Sequence, residues 1–412
     1  MMDLVIKNCK FVDKEGEYNI AVKDGKIAEI SKLNIEADKE IDAKTNYVLP
    51  GFIDPHVHFR DPGLTKKEDF KTGSEAAAAG GFTTFIDMPN TIPKTNTYKA
   101  FKEKLEIANK KCIINFKLQA GVNTLEEMKK IMKLEPASFK IFMDLEDDET
   151  LEKIFKDLAI LKNETNYNGL VTAHCEKQSI ILDNMEKYKD STEPIAYSYV
   201  RNSLSEEESV KQAINLSSKN NLKLHICHLS SKKALKMAKE ANVSYEFTPH
   251  HLLLNNDYYN KLGTIIKTNP PLREEKDKIS ISDIDETTII GTDHAPHTLE
   301  EKHKGVFNSS PGIPNIETVV PLLLTEVNKN NIDLKLIPKI LSENVAKVFN
   351  LKTKGKIAIG YDADFTIIDL KKEGKFNIDS FKTKGKYSPF DGWEYQGKSI
   401  MTIVNGKIIV KD

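Results

Sequence analysis

Gly51-Phe52-Ile53-Asp54-Pro55-His56-Val57-His58-Phe59-Arg60 is an apolar run that turns polar at its end. Side chains alternate between the two faces of a strand, so His56, His58 and Arg60 share one side. Two imidazoles on one face can reach one metal ion, and neutral imidazole is a common zinc ligand. A cation two residues further on suits a small anionic substrate. Two satisfied core histidines are the plain structural alternative, and the rest of the chain decides against it.

Working outward, apolar strand candidates lie at 51–57, 82–87, 112–120, 138–143, 169–174, 222–228, 243–249 and 287–292. Helical patterns separate most of them, at 68–79, 97–110, 124–133, 148–162, 205–219 and 231–240, with two more at 315–329 and 336–349. The 251–286 connection is longer and less regular. Eight strands alternating with helices predict an α/β fold, a (β/α)8 TIM barrel over 50–351. Both ends read differently. Leu4–Val12, Ile20–Val22 and Lys26–Ile30 at the N-terminus match Lys356–Gly360, Ala363–Asp369, Ser399–Val404 and Lys407–Val410 at the C-terminus in strand texture. Asp24-Gly25 and Asn405-Gly406 are hairpin turns. One composite β-sandwich domain, 1–49 with 352–412, is the expectation.

The 412 residues carry a formal net charge of −1, which argues against attraction to nucleic acid or to an anionic membrane. No stretch approaches the roughly 18 apolar residues of a membrane span, and the first residues lack a signal-peptide pattern. Cys9, Cys112, Cys175 and Cys227 are scattered, as expected of reduced thiols in a cytoplasmic protein. Only three arginines, Arg60, Arg201 and Arg273, stand among 57 lysines, so the position of each is informative. Arg201 and Arg273 read as helix-start or structural residues.

On the barrel frame the polar residues fall at the C-terminal ends of the strands, where such barrels build their sites. These ends are His56-Val57-His58, Asp87-Met88-Pro89-Asn90, His174-Cys175-Glu176, His225-Ile226-Cys227-His228, Pro249-His250-His251 and Thr292-Asp293-His294-Ala295-Pro296-His297. Eight of the ten histidines are expected to converge there, with His303 outside. His56, His58 and His174 are candidate metal ligands. His225 and His228 are three apart and lie on opposite faces, and His228, nearer the mouth, is the candidate. Asp293 is a carboxylate ligand or general base. His250 and His251 read as supporting residues.

Lys140 lies within an apolar strand, where an unpaired charge is costly. Burial favours a neutral, nucleophilic amine. Such an amine can take up carbon dioxide as a carbamate whose two oxygens bridge two metals. A lysine reaching out to solvent is the plain alternative. Asp144 is the reserve candidate for the bridge.

The chain resembles the cyclic amidohydrolases, a branch of the metal-dependent amidohydrolase superfamily, and within them the long-type dihydroorotases with a split β domain. The resemblance covers nearly the whole chain. It rests on His56-Val57-His58-Phe59-Arg60-Asp61-Pro62-Gly63, Gly80-Gly81-Phe82-Thr83-Thr84, Met88-Pro89-Asn90-Thr91, Ala173-His174-Cys175-Glu176, His225-Ile226-Cys227-His228, Asn269-Pro270-Pro271-Leu272-Arg273 and Asp293-His294-Ala295-Pro296-His297. It implies that His56 and His58 bind one divalent metal, His174 and His228 a second, and carboxylated Lys140 bridges them. Asp293 completes the site and shuttles the proton. Arg60, Asn90 and His297 are implied to hold a substrate carboxylate, and Asn269 the ring amide, helped by backbone groups near Pro311 and Gly312. Some long-type members use an aspartate as the bridge, which keeps Asp144 in view. Zinc is the favoured ion, although nitrogen and oxygen ligands suit cobalt and manganese too.

The activity implied is reversible cyclisation of N-carbamoyl-L-aspartate to L-dihydroorotate plus water, a step of de novo pyrimidine biosynthesis, through a metal-bridging hydroxide. A homodimer and an association with aspartate transcarbamoylase are arrangements the resemblance allows. Segments 144–150 and 298–312 are candidate closing loops. Related hydantoinases and allantoinases share the His-x-His but lack arginine at the position of Arg60. The rival readings are dihydropyrimidinase/hydantoinase or allantoinase, an amidohydrolase of unrelated small molecules, and a non-enzymatic scaffold for a partner enzyme. The last would be expected to have lost ligands that this chain keeps.

Overall fold

Eight parallel strands form the frame in the computed structural model, which describes residues 1–412. They are Phe52–Val57, Phe82–Asp87, a third in two pieces (Asn115–Leu118 and Ala120–Gly121), Phe139–Phe142, Leu170–His174, Lys223–Ile226, Ser244–Phe247 and Ile289–Ile290. Each pairs with its sequence neighbour, and the broken third strand uses its first piece for the second strand and its second piece for the fourth. The ring closes where Val57 bridges His294 and the His58 N–H donates to the His294 carbonyl at 2.8 Å. The first two strands are buried along their whole length, as parallel strands covered by helices must be.

The helices begin where the chain supplies caps. Asp69, Thr97, Thr124, Asp147, Asn202 and Ser231 each accept a backbone N–H of the first turn, opening Phe70–Ala79, Tyr98–Lys111, Leu125–Met132, Asp148–Glu164, Ser203–Lys219 and Lys232–Glu240. Five helices lie outside the expected stretches: Gln178–Tyr188 and Ala196–Val200, neither with a side-chain cap, and the short Pro249–Leu253, Tyr259–Leu262 and Leu299–Lys302. Val319–Asn328 follows as expected, whereas the last predicted helix opens with a π turn, Lys339–Glu343, before Asn344–Val348. No helix is long and apolar enough to cross a membrane.

The two ends of the chain interleave. One sheet runs Lys26–Ser31, Tyr18–Lys23, Leu4–Cys9, Glu40–Asp42, and the other Lys407–Lys411, Glu394–Val404, Phe365–Lys375, Tyr47–Pro50. Ile6, Ile20 and Val22 of the first share one core with Phe365, Ile367 and Ile403 of the second. Both hairpin turns have positive φ at each central residue, 50° and 72° at Asp24-Gly25 and 49° and 74° at Asn405-Gly406. The strand expected at Lys356–Gly360 does not form, since Gly355 and Gly360 both sit at positive φ and turn the chain. Thr402 Oγ1 donates to the Ala78 carbonyl and Thr366 Oγ1 to that of Gly81, locking the second sheet onto the barrel.

A buried ion pair supports the rim under Arg60. Lys104 Nζ lies 2.6 Å from Asp87 Oδ2 and donates to the Met88 carbonyl, while Asp87 Oδ1 accepts the Phe59 N–H at 2.7 Å. Removing one partner strands a charge without solvent. Lys104→Met is therefore expected to lower stability by about 3–5 kcal/mol in denaturant unfolding. A loss below about 1 kcal/mol would show that Asp87 finds another partner.

Candidate active site

The strand ends enclose a cavity of about 400 Å³. Every residue nominated from sequence lines it: His56, His58, Lys140, His174, His228 and Asp293 on one side of the reading, Arg60, Asn90, Asn269, His297 and Gly312 on the other. Asp144 lines it as well. Three of these residues hold strained backbone for non-glycine residues, with φ +61° at Arg60, +36° at His228 and +46° at Asp293.

The hydrogen bonds of the imidazoles set their tautomers. His56 Nδ1 donates to Glu246 Oε1, and His58 Nδ1 donates to Asn90 Oδ1 at 2.6 Å. Both rings thus turn Nε2 inward, where Asp293 Oδ1 lies 3.4 Å from His56 and 3.1 Å from His58. These three ligand atoms lie within 4.8 Å of one another. Across the cavity His174 Nε2 donates to Glu176 Oε2 at 2.8 Å, leaving Nδ1 2.9 Å from His228 Nε2. His228 Nδ1 is buried without a partner, so its Nε2 is free to carry a proton or to meet a cation, and the first cluster gathers a carboxylate and two imidazoles around one point, the donor set of a divalent metal. The residues therefore fit divalent metal ions. The carboxylates around His56 favour positive charge at this point, whether an ion or a proton on the ring. Burial alone would lower the basicity of His56, but the Glu246 and Asp293 carboxylates reverse this and push it up to about 10. His58, where burial dominates, falls to about 4.

Two carboxylates behind the histidines were not assigned from sequence. Glu246 is fully buried and also accepts from His225 Nε2 at 3.0 Å and from the His228 N–H at 3.2 Å. Its only sequence signal is a glutamate inside the apolar strand Ser244-Tyr245-Glu246-Phe247. Glu176 is gripped by Arg201, whose Nε lies 3.1 and 3.0 Å from its two oxygens. Burial opposes ionisation of Glu176, but the Arg201 charge outweighs it and holds the carboxyl down at about 2. Arg201 Nη2 also binds Asp144 Oδ2 at 2.7 Å. Asp144 is thus neutralised on the Nε2 side of His174, 3.6 Å away. Lys140 is buried with Nζ 2.8 Å from Cys227 Sγ, and its charge lowers the basicity of both His56 and His228. It lines the same cavity as both histidine pairs. Carboxylates behind metal-binding imidazoles typically change metal affinity 10- to 100-fold. Glu246→Gln is expected to weaken metal binding by about that factor in a metal titration, and unchanged affinity would deny Glu246 this role.

On the opposite side Arg60 is buried beside neutral partners, the Pro296 carbonyl at 3.3 Å and His297 Nε2 at 3.0 Å. His297 Nε2 also lies 2.9 Å from the Pro311 carbonyl and Nδ1 3.2 Å from Lys67 Nζ, and a neutral ring accepts at one nitrogen only, so Arg60 and Lys67 compete for it. Burial, then Arg60 and the neighbouring lysines, drive the basicity of His297 far down, so the ring stays neutral. Asn269 Oδ1 accepts from the Tyr197 hydroxyl at 2.6 Å. Gly312 contributes room rather than hydrogen bonds. Its N–H donates to the Lys267 carbonyl, and its own carbonyl accepts from Lys302 Nζ and the Tyr387 hydroxyl. A Cβ there would fall 2.3 Å from the Ala295 oxygen, at φ +140°.

Five histidines line the cavity, not eight. His225 points to Glu246 and Ser244, and His250 and His251 both bond Thr248. His294 accepts the Asn315 and Ile316 N–H groups. All four have satisfied packing roles that sequence position alone does not reveal.

The model of the Amidohydrolase family matches residues 47–409. A protein of Methanothermobacter thermautotrophicus named dihydroorotase is 46% identical over 100% of this chain and 95% of its own length. One of Methanosphaera stadtmanae with the same name is 45% identical over 100% and 97%. Among solved structures, an L-hydantoinase (dihydropyrimidinase) from Arthrobacter aurescens superposes with a TM-score of 0.93 at 31% identity, covering 100% of this chain and 96% of its own. With a family match across most of its length, and relatives well above 30% identity end to end, the chain belongs to the amidohydrolase family.

Proposed function

We propose that the chain is a dihydroorotase, interconverting N-carbamoyl-L-aspartate and L-dihydroorotate in pyrimidine biosynthesis. The observation that carries this reading is Arg60, a buried guanidinium whose partners in the protein are all neutral, facing a cavity that also holds the histidine cluster. A buried cation without a counter-ion is costly, and a ligand carboxylate would neutralise it through a bidentate fork. Dihydroorotate carries a carboxylate on its ring; hydantoin and dihydrouracil carry none there. The names of the more similar relatives agree with this choice.

His56, His58, His174, His228 and Asp293 would hold two divalent ions, zinc by preference, with a carbamate on Lys140 between them. Asp144 remains the alternative bridge, with Oδ2 held by Arg201 and Oδ1 buried without a partner. When bound, such ions supply Lewis acidity and an acidified water. The chain's own residues do the rest. Arg60, Asn90 through its free amide nitrogen, and His297 hold the carboxylate and fix the ring. Asn269 contacts the ring amide. Asp293 takes a proton on the hydrolytic path and delivers it to the departing ring nitrogen, and runs in reverse on cyclisation. The division into a 1–49 plus 352–412 β unit and a 50–351 barrel is supported by one sheet that draws strands from both ends and by the core it shares with the N-terminal sheet.

The likeness to hydantoinase and dihydropyrimidinase structures favours a second reading, hydrolysis of an uncharged ring. The experiment is a side-by-side assay of dihydroorotate, dihydrouracil, hydantoin and allantoin, with metal quantified on the same sample. Dihydroorotate is expected to lead by about 100-fold or more in kcat/KM. A higher rate on an uncharged ring would overturn the proposal in favour of the second reading.

A further inference from the structure

Asparagine carries a donor and an acceptor on nearly superimposable ends, so a hydrogen bond from elsewhere must decide which end meets a ligand. Asn269 lines the cavity, and its Oδ1 is 2.6 Å from the Tyr197 hydroxyl. We infer that Tyr197 is a positioning residue: by donating to Oδ1 it turns the Asn269 amide so that only N–H groups face the substrate, and the site reads a ring carbonyl there. This deepens the dihydroorotase reading and rests on it.

The surroundings of Tyr197 fix its hydroxyl in place. The residue is buried on Ala196–Val200. Its ring lies under Lys267 Nζ, 4.0 Å from the ring centroid, and that amine is itself tied to the Val306 and Phe307 carbonyls at 2.8 and 3.1 Å, which holds the ring from above. Ser198 Oγ donates to the Leu272 carbonyl at 2.7 Å, and Arg201 is clamped by Glu176 and Asp144, so the helix is held at its middle and at its C-terminal end. Burial keeps the Tyr197 phenol up at about 12, which leaves the hydroxyl its hydrogen. The partner of that hydrogen is Asn269. One short segment therefore serves two parts of the site, the substrate amide through Tyr197 and the His174 imidazole through Arg201 and Glu176.

The test is a double-mutant cycle on the metal-loaded, full-length enzyme, reading kcat and KM for dihydroorotate together with metal content. Tyr197→Phe is expected to raise KM about ten-fold, with kcat within about two-fold and metal content unchanged. In an Asn269→Ala background the same substitution should change kcat/KM by less than about two-fold. Equal losses with and without Asn269, or no loss in the wild-type background, overturn the inference. Should Tyr197→Phe not accumulate as folded protein, Asn269→Asp decides, since a carboxylate presents an acceptor at both ends. It is expected to be worse than Asn269→Ala, and retained affinity would overturn the donor assignment. A wild-type chain inert towards dihydroorotate ends the parent reading and this inference together; an active wild type with an additive cycle ends this inference alone.

Discussion

Asp293→Ala loses about 10⁴-fold in kcat and keeps its metal, an outcome to be read from initial rates and metal quantification on the same preparation. Asp293 lies in the left-handed turn that follows the eighth strand, with its carboxylate against His56 and His58 Nε2. Burial works against its ionisation, but the His56 charge and the His58 hydrogen bond prevail, and the carboxyl lies well below the usual carboxylate range. It enters the cycle ionised and able to take a proton. The four histidines and Lys140 are independent of it and should retain the ions. Asp293→Asn separates the two roles of this residue. It keeps the shape and an oxygen ligand but cannot carry a proton, so its rate should fall as far as that of the alanine variant. An asparagine variant within about ten-fold of wild type would discard the proton shuttle and leave Asp293 as a ligand only.

Much of this was legible in sequence because the period of the apolar residues and the helix caps agree. Strands such as Phe82–Asp87 are runs of aromatic and β-branched residues, and Asp69 or Ser231 announce the helices that follow. Helices Gln178–Tyr188 and Ala196–Val200 were not legible, since neither has a cap and both are held by tertiary contacts such as Asn184 to the Val200 carbonyl. His228 lines the cavity and His225 does not, but nearness to the mouth rather than strand parity separates them, since the strand ends at Ile226 and His228 sits in a left-handed turn. Parity could not separate His294 from its neighbours, because the chain leaves regular strand after Ile290, and the left-handed turn at Asp293 decides which side chains face inward. Glu246 shows the same limit. A buried glutamate in a strand of four residues has no periodic signature, and its meaning appears only when His56, 190 positions away, is seen to donate to it.

The arginines were the better guide. Lysine covers the surface, and all three arginines are buried around the cavity or directly behind it. Arg273 binds Ser230 Oγ and Glu206, and donates to the Arg201 carbonyl. Arg201 forks onto Glu176 and Asp144, a geometry that a point-like ammonium cannot reproduce. The expectation that Arg201 is structural holds only in that it does not itself line the cavity, although it binds Asp144 and lies 3.4 Å from His174 Nε2, which do. Through Glu176 it sets the tautomer of His174.

Arg60 is the arginine on which substrate choice turns, and Arg60→Gln is expected to lower kcat/KM for dihydroorotate by about 10³- to 10⁴-fold. A carboxylate binds the guanidinium in the ground state as well as in the transition state, so most of the loss should appear in KM. The substitution also frees His297 Nε2 and the Pro296 carbonyl from a donor, which adds to the loss without touching the metal ligands. Metal content should therefore match wild type. Arg60→Lys retains the charge and loses the planar fork, and an intermediate loss of about 10²-fold is expected. The comparison that decides is with an uncharged ring. Hydrolysis of dihydrouracil, however slow, should change less than about three-fold in either variant, because no carboxylate is present to miss the guanidinium. If Arg60→Gln reduces both substrates alike, Arg60 supports the fold of the rim rather than reading an acid, and the assignment of dihydroorotate over a neutral ring loses its physical basis.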